Sequence, residues 1–140
     1  MLKKIISASL VASSLVAAAP VFAATTPSAA QVSCVGSAVN TRETAIDAAI
    51  ATYTQAISSA YTARASALQQ AYAMTPGNGV IKKAIKSAWA IFTSSMKSAR
   101  KSWLSSRKSA WATFRSSVKT CKAPGVSTDS ANSGSEASGG

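Results

Sequence analysis

From Cys34 to Lys122 the apolar and polar residues follow one rule with a period of eleven. In the second half, AIKSAWAIFTS from Ala84, SMKSARKSWLS from Ser95, SRKSAWATFRS from Ser106 and the partial SVKTCK from Ser117 align without gaps. The first half repeats in the same way, with CVGSAVNTRET from Cys34, AIDAAIATYTQ from Ala45, AISSAYTARAS from Ala56 and ALQQAYAM from Ala67. Eleven residues close three turns at ~3.67 residues per turn, near the natural helical value. Apolar residues take positions two, five, six and nine of each block, and these fall in a stripe about 100° wide along one face of an α-helix. The pattern predicts two long amphipathic helices, over 37–73 and 80–120. Between them Thr75-Pro76-Gly77-Asn78-Gly79 breaks the helix and reverses the chain, giving a turn over 74–79. The fold class is therefore all-α, a coiled-coil-like antiparallel two-helix hairpin.

The cysteines fix a register for this hairpin. Cys34 and Cys121 are equidistant from a point between Gly77 and Asn78, inside the turn. Folding about that point pairs Ala45 with Ala110, Ala56 with Ala99 and Ala67 with Ala88. Alanine against alanine lets two helices approach at the near end of the usual 8–10 Å range. A disulfide wants its Cβ atoms only ~3.8 Å apart, so the same close spacing serves both. A Cys34–Cys121 bond is expected, and closing so long a loop contributes about 4–5 kcal/mol in the chain-entropy model. The expected apolar ridge is Ile46, Ile50, Ile57, Tyr61, Leu68 and Tyr72 against Ile85, Trp89, Phe92, Met96, Trp103, Trp111, Phe114 and Val118. Ile91 and Leu104 are left poorly covered, which makes a homodimer, closing into a four-helix bundle, a candidate assembly.

Charge divides the two helices. Eleven Lys and Arg lie between Lys82 and Lys122, where there is no Asp or Glu, while the first helix offsets Arg42 and Arg64 with Glu43 and Asp47. Lys86, Lys97, Lys108 and Lys119 recur at position three beside the apolar stripe, with Lys101 and Arg115 on the same flank. The opposite flank carries Ser87, Ser94, Ser98, Ser105, Ser109 and Ser116. A surface made for solubility alone mixes both signs, whereas one sign on one helix points to an anionic polymer or membrane surface as partner. The candidate polyanion-binding residues are Lys86, Lys97, Lys101, Lys108, Arg115 and Lys119. Arg107 interrupts the stripe at position two, and the register sets Asp47 opposite Lys108, so a cross-helix ion pair from Asp47 to Arg107 or Lys108 is expected. Arg100 faces Gln55 and has no charge partner in this register.

The ends read differently. MLKKIISASLVASSLVAAAPVFA has two lysines, a short apolar run and small residues before Ala23, the pattern of a secretory signal over 1–23. ATTPSAAQ and the residues that follow it, 24–36, read as a linker, and the hairpin spans 37–121. The Ser- and Gly-rich tail over 122–140 has too little apolar surface to offset the entropy of ordering and is expected to be disordered. The expected location is periplasmic or extracellular, where a pair of cysteines is bridged rather than free.

These residues exclude more chemistry than they offer. With no histidine and only four Asp and Glu, nothing supplies a general acid–base pair or an activated nucleophile. No metal set and no cofactor are expected. No base-reading fold appears, so specific nucleic-acid recognition is not expected. The period resembles that of the lipid-surface helices of synucleins and apolipoproteins, from which the cysteine pair and matched alanine layers depart by favouring helix against helix. The expected function is a non-enzymatic structural or adaptor module of the cell envelope or extracellular space. The alternatives are a binder of polyanions or anionic membrane surfaces through the basic helix, and a small periplasmic chaperone.

Overall fold

A computed structural model describes residues 26–74, 77–123, 125–126 and 128–137; the segment 1–23, expected to be a secretory signal, lies outside them. Two antiparallel helices pack along their length: α1 (Ala29–Ala73) and α2 (Asn78–Cys121), followed by a 3-10 helix, η1 (Thr128–Ala137). At ~1.5 Å per residue each long helix extends for about 66 Å. Among the described residues no helix is long and apolar enough to cross a membrane. The protein is a helical hairpin closed by the Cys34–Cys121 disulfide, whose Cα atoms are 5.6 Å apart. Such a bond fits an oxidising compartment.

α1 begins about two turns before the expected Ser37, inside the segment 24–36 expected to be a linker. A capping box starts it. The Ser28 hydroxyl accepts from the Gln31 amide at 3.3 Å, and the Gln31 side chain accepts from the Ser28 amide at 2.7 Å. This satisfies two donors that a helix start otherwise leaves without partners. At the turn, the Gly77 carbonyl accepts from the Val80 and Ile81 amides, so α2 starts at Asn78 rather than Val80. α2 closes on Lys122, whose φ of 50° is left-handed. The Lys122 carbonyl accepts from the Gln31 side chain at 2.7 Å, joining the start of α1 to the end of α2.

The eleven-residue rule governs burial, with a shift in one helix. In α2 the buried small residues are Ala88, Ala99, Ala110 and Cys121, as the folding point requires. In α1 they are Ala38, Ala49, Ala60 and Ala71, while Ala45 is exposed and Ala56 and Ala67 are only half-buried. The alanine layers drawn from Ala45, Ala56 and Ala67 are thus corrected by four residues. Positions one and five lie only about 33° apart on a helix of this period. The disulfide reaches the rim of the contact strip, where Cys34 is exposed, and the alanine line runs one turn further along, at its centre.

The ridge is also less covered than expected. Ile46, Trp111 and Phe114 are buried, but Ile50, Tyr61 and Trp89 remain nearly half exposed and Tyr72 is 70% exposed. A pair of helices covers only the strip each turns to the other, and position six lies at its edge. Ile91 and Leu104 are exposed, at 59% and 41%. The tight core gathers at the disulfide end, where Ala38, Ile46, Ala110, Trp111 and Phe114 form one cluster and Val35, Cys121 and Ala123 another. There the chain after α2, expected to be disordered, folds back: Ala123 is buried, Val126 packs on the cluster, and η1 follows.

Candidate functional site

The residues proposed for anion binding lie where the repeat puts them. Lys86, Lys97, Lys101, Lys108, Arg115 and Lys119 are all exposed on α2. Successive position-three lysines climb about 16.5 Å, and the helix drifts only slightly between them, so they form a row along its outer surface. Arg107 is half-buried at its core position, and Asp47 and Lys108 are exposed. On the small-residue flank an open groove of about 750 Å³ runs between the helices, lined by Ala45, Ala56 and Ala60 from α1 and Ser98, Ser102 and Ser106 from α2. Its walls carry no charge, and a smaller neighbouring groove, which shares Ala45 and Ser106, includes Arg42.

Three rungs of bulky side chains cross between the helices, and Tyr53 and Trp103 of the middle one also line the groove. Position nine of α1 reads Arg42, Tyr53, Arg64, and positions six and nine of α2 read Trp89 and Phe92, Arg100 and Trp103, Trp111 and Phe114. Because the helices are antiparallel, the two outer rungs each bring an arginine of α1 against two aromatic rings of α2, and the middle one pairs two rings. Arg42 sits 4.2 Å from the centre of the Trp111 ring and 4.5 Å from that of Phe114. Tyr53 stacks on Trp103 at 6.2 Å in the middle rung, while Arg100, at position six of the same block, is exposed. Arg64 lies 4.6 Å from Trp89, 4.4 Å from Phe92 and 4.8 Å from Tyr61. The negative faces of the rings attract the planar guanidinium, worth about 0.5–2 kcal/mol according to how far the contact is desolvated.

Among the described residues Arg42 is the buried charge, only 6% exposed. Burial works against its charge, but hydrogen bonds to Asp129 and Glu43 and the charges of both carboxylates outweigh that effect and raise its pKa above the ordinary arginine value. While both carboxylates carry their charge, its stabilising contribution is present at any pH below the arginine range and is lost as pH rises through that range. Its Nε donates to Glu43 at 2.8 Å, and Nη1 donates to Asp129 of η1 at 2.5 Å. The tail is thus tied to α1 by a charge-assisted bond whose guanidinium is already fixed by two rings.

The rungs escaped the reading of the sequence. In the sequence Arg42 and Arg64 read as charges offset by Glu43 and Asp47, and Arg100 as a residue facing Gln55 with no charge partner. The signal was there in position nine of α1, where a strip otherwise apolar carries Arg, Tyr, Arg at intervals of eleven opposite a matching aromatic row. No protein-family model, curated protein or solved structure matches the chain, so its own geometry is the guide to function.

Proposed function

We propose that the protein is an exported, non-catalytic adaptor of the cell envelope or extracellular space, a rigid spacer that engages an anionic polymer or membrane surface through α2. One observation carries this reading: position-three lysines stand exposed in a row on a helix that holds no acidic residue. Such a row sets up a field of one sign along an extended track, and an extended polyanion can follow it. The disulfide and the buried end cluster support the spacer role, since they hold the track straight. The exposed Ile50, Ile91 and Leu104 leave room for a homodimer within the same reading.

The test is replacement of Lys86, Lys97, Lys108 and Lys119 by Gln. Helix content and melting temperature should stay nearly unchanged, because exposed charges contribute little to stability. Binding to heparin and to vesicles rich in anionic lipid should fall sharply, while replacement of Ser87, Ser98, Ser105 and Ser116 should leave it intact. A second reading, a small periplasmic chaperone, draws on the half-exposed Tyr61 and Trp89 and the exposed Tyr72 beside cations. It predicts that the protein suppresses aggregation of an unfolded client, and that the lysine replacements leave this suppression in place.

A further inference from the structure

The first and third rungs are the same arrangement translated by twenty-two residues. Arg64 corresponds to Arg42, Trp89 to Trp111 and Phe92 to Phe114. Their surroundings differ in one respect that matters to an arginine. Glu43, which accepts from Arg42, is replaced after Arg64 by Ala65, and Asp129 has no counterpart. Arg64 is held over three rings, yet its Nε is shielded from solvent and has no hydrogen-bond partner in the structure. The rings fix the guanidinium and leave its donors without a carboxylate. Tyr61 and Trp89, at its sides, are each 47% exposed, so the rung opens to the surface.

Among its described residues the chain brings no carboxylate to this rung. It holds four acidic residues after the segment 1–23. Glu43 and Asp129 serve Arg42. Asp47 is seventeen residues along α1 from Arg64, about 25 Å away. Glu136 follows Asp129 by seven residues, which span ~14 Å as a 3-10 helix and at most ~25 Å fully extended. The two rungs are about 33 Å apart.

We infer that the Arg64 rung, with Trp89, Phe92 and Tyr61, is a docking site for a carboxylate side chain on a peptide segment of another protein. The chain's own η1 shows what such an occupant looks like: at the matching rung Asp129, in a run of small polar residues, caps a ring-held arginine. Lys82 and Lys83, exposed in the first turns of α2 and outside the lysine row, add positive charge to this end of the hairpin and favour an acidic segment. This site is separate from the lysine row. It gives the adaptor a second attachment near the turn, for a protein, while the row serves an anionic surface.

The probe is the end-blocked peptide GVSTDSANS, the sequence of Gly125–Ser133, titrated at low salt into the intact, oxidised protein labelled with ¹⁵N. The arginine Nε–H and tryptophan indole signals report the rung directly. Saturable shifts at Arg64 and Trp89 are expected, and GVSTNSANS, with Asn for Asp, should bind on the order of tenfold more weakly because a charge-assisted hydrogen bond is lost. Arg64→Gln should abolish the Trp89 shift, and Arg64→Lys should weaken it by losing the planar fork. The Gln variant of the four lysines should retain the shift, so failure of the row and failure of this site are read separately. Equal response to the Asp and Asn peptides overturns the inference without any variant. So does an Arg64 signal that moves with anionic vesicles or heparin and not with the peptide.

Discussion

Phe114 and Phe92 occupy the same position of the repeat, and truncating each to Ala measures how unevenly the hairpin is held together. Phe114 is 1% exposed in the cluster beside the disulfide, whereas Phe92 is only half-buried. Removing a fully buried phenylalanine costs about 3–5 kcal/mol, the sum of lost transfer energy and the cavity left behind. A half-buried one has roughly half the transfer energy to lose and a site that water can fill, so about 1.5–2 kcal/mol is expected. Each ring carries an arginine and touches a tryptophan edge-on, at 5.6 Å for Phe114 and 5.8 Å for Phe92; Phe92 also meets Tyr61 at 5.0 Å, a loss set against the fuller desolvation of the Arg42 contact at Phe114. The remaining difference of about 2 kcal/mol comes from burial and corresponds to roughly 8 °C or more in melting temperature for a small domain. Far-UV circular dichroism during thermal and urea unfolding, with the disulfide intact, reads it as a shift in midpoint at unchanged slope. Equal losses for the two variants, or a larger loss for Phe92→Ala, would refute the claim that the core gathers at the disulfide end.

Removing the bond by Cys34→Ser with Cys121→Ser should cost up to about 4.5 kcal/mol for a separation of 87 residues, seen as a lower melting temperature that added reductant no longer changes. Ala60→Leu and Ala99→Leu should each destabilise by about 1–3 kcal/mol through overpacking, while Ala45→Leu and Ser105→Leu, on exposed positions, should cost little; equal thermal shifts for Ala45 and Ala60 would restore the register drawn from the cysteines. Lys122→Gly should stabilise by roughly 0.5–1 kcal/mol, because glycine takes the left-handed cap without a Cβ penalty, and a loss instead would mean that the lysine side chain matters there. A double-mutant cycle over Asp47→Asn and Arg107→Gln tests the expected cross-helix pair. Coupling under about 1 kcal/mol is expected at an exposed carboxylate, and zero coupling removes the pair from the description.

The hairpin was legible because its repeat, its break and its cysteines are each one-dimensional signals. A period of eleven survives any packing detail, and Pro76 and Gly77 interrupt it at one place only. The start of α1 was legible in principle: Ser28 and Gln31 spell a capping box, but the residues around them resemble a linker in composition. The offset from Ala45 to Ala49 was not, since positions one and five differ by too small an angle for the pattern to choose between them. The arginine rungs stayed hidden because charge is read as solvent-facing. Two facing aromatic rings reverse that preference at Arg42, and only the antiparallel pairing reveals that the rings are there. The tail's return draws on the ion pair of Arg42 with Asp129, across 87 residues, and on Ala123 and Val126 at the end cluster, and no local pattern encodes it.

Salt dependence of binding by the native protein tests the proposed role of α2 most directly. Affinity for heparin and for vesicles of anionic lipid, measured from low to physiological ionic strength, should fall steeply, since each lysine seated on an anionic group releases a counterion on binding and is screened within about a Debye length. Vesicles of neutral lipid should not bind. Binding that ignores salt, or no binding to either anionic probe at low ionic strength, would contradict the account and leave the lysine row as a solvated face.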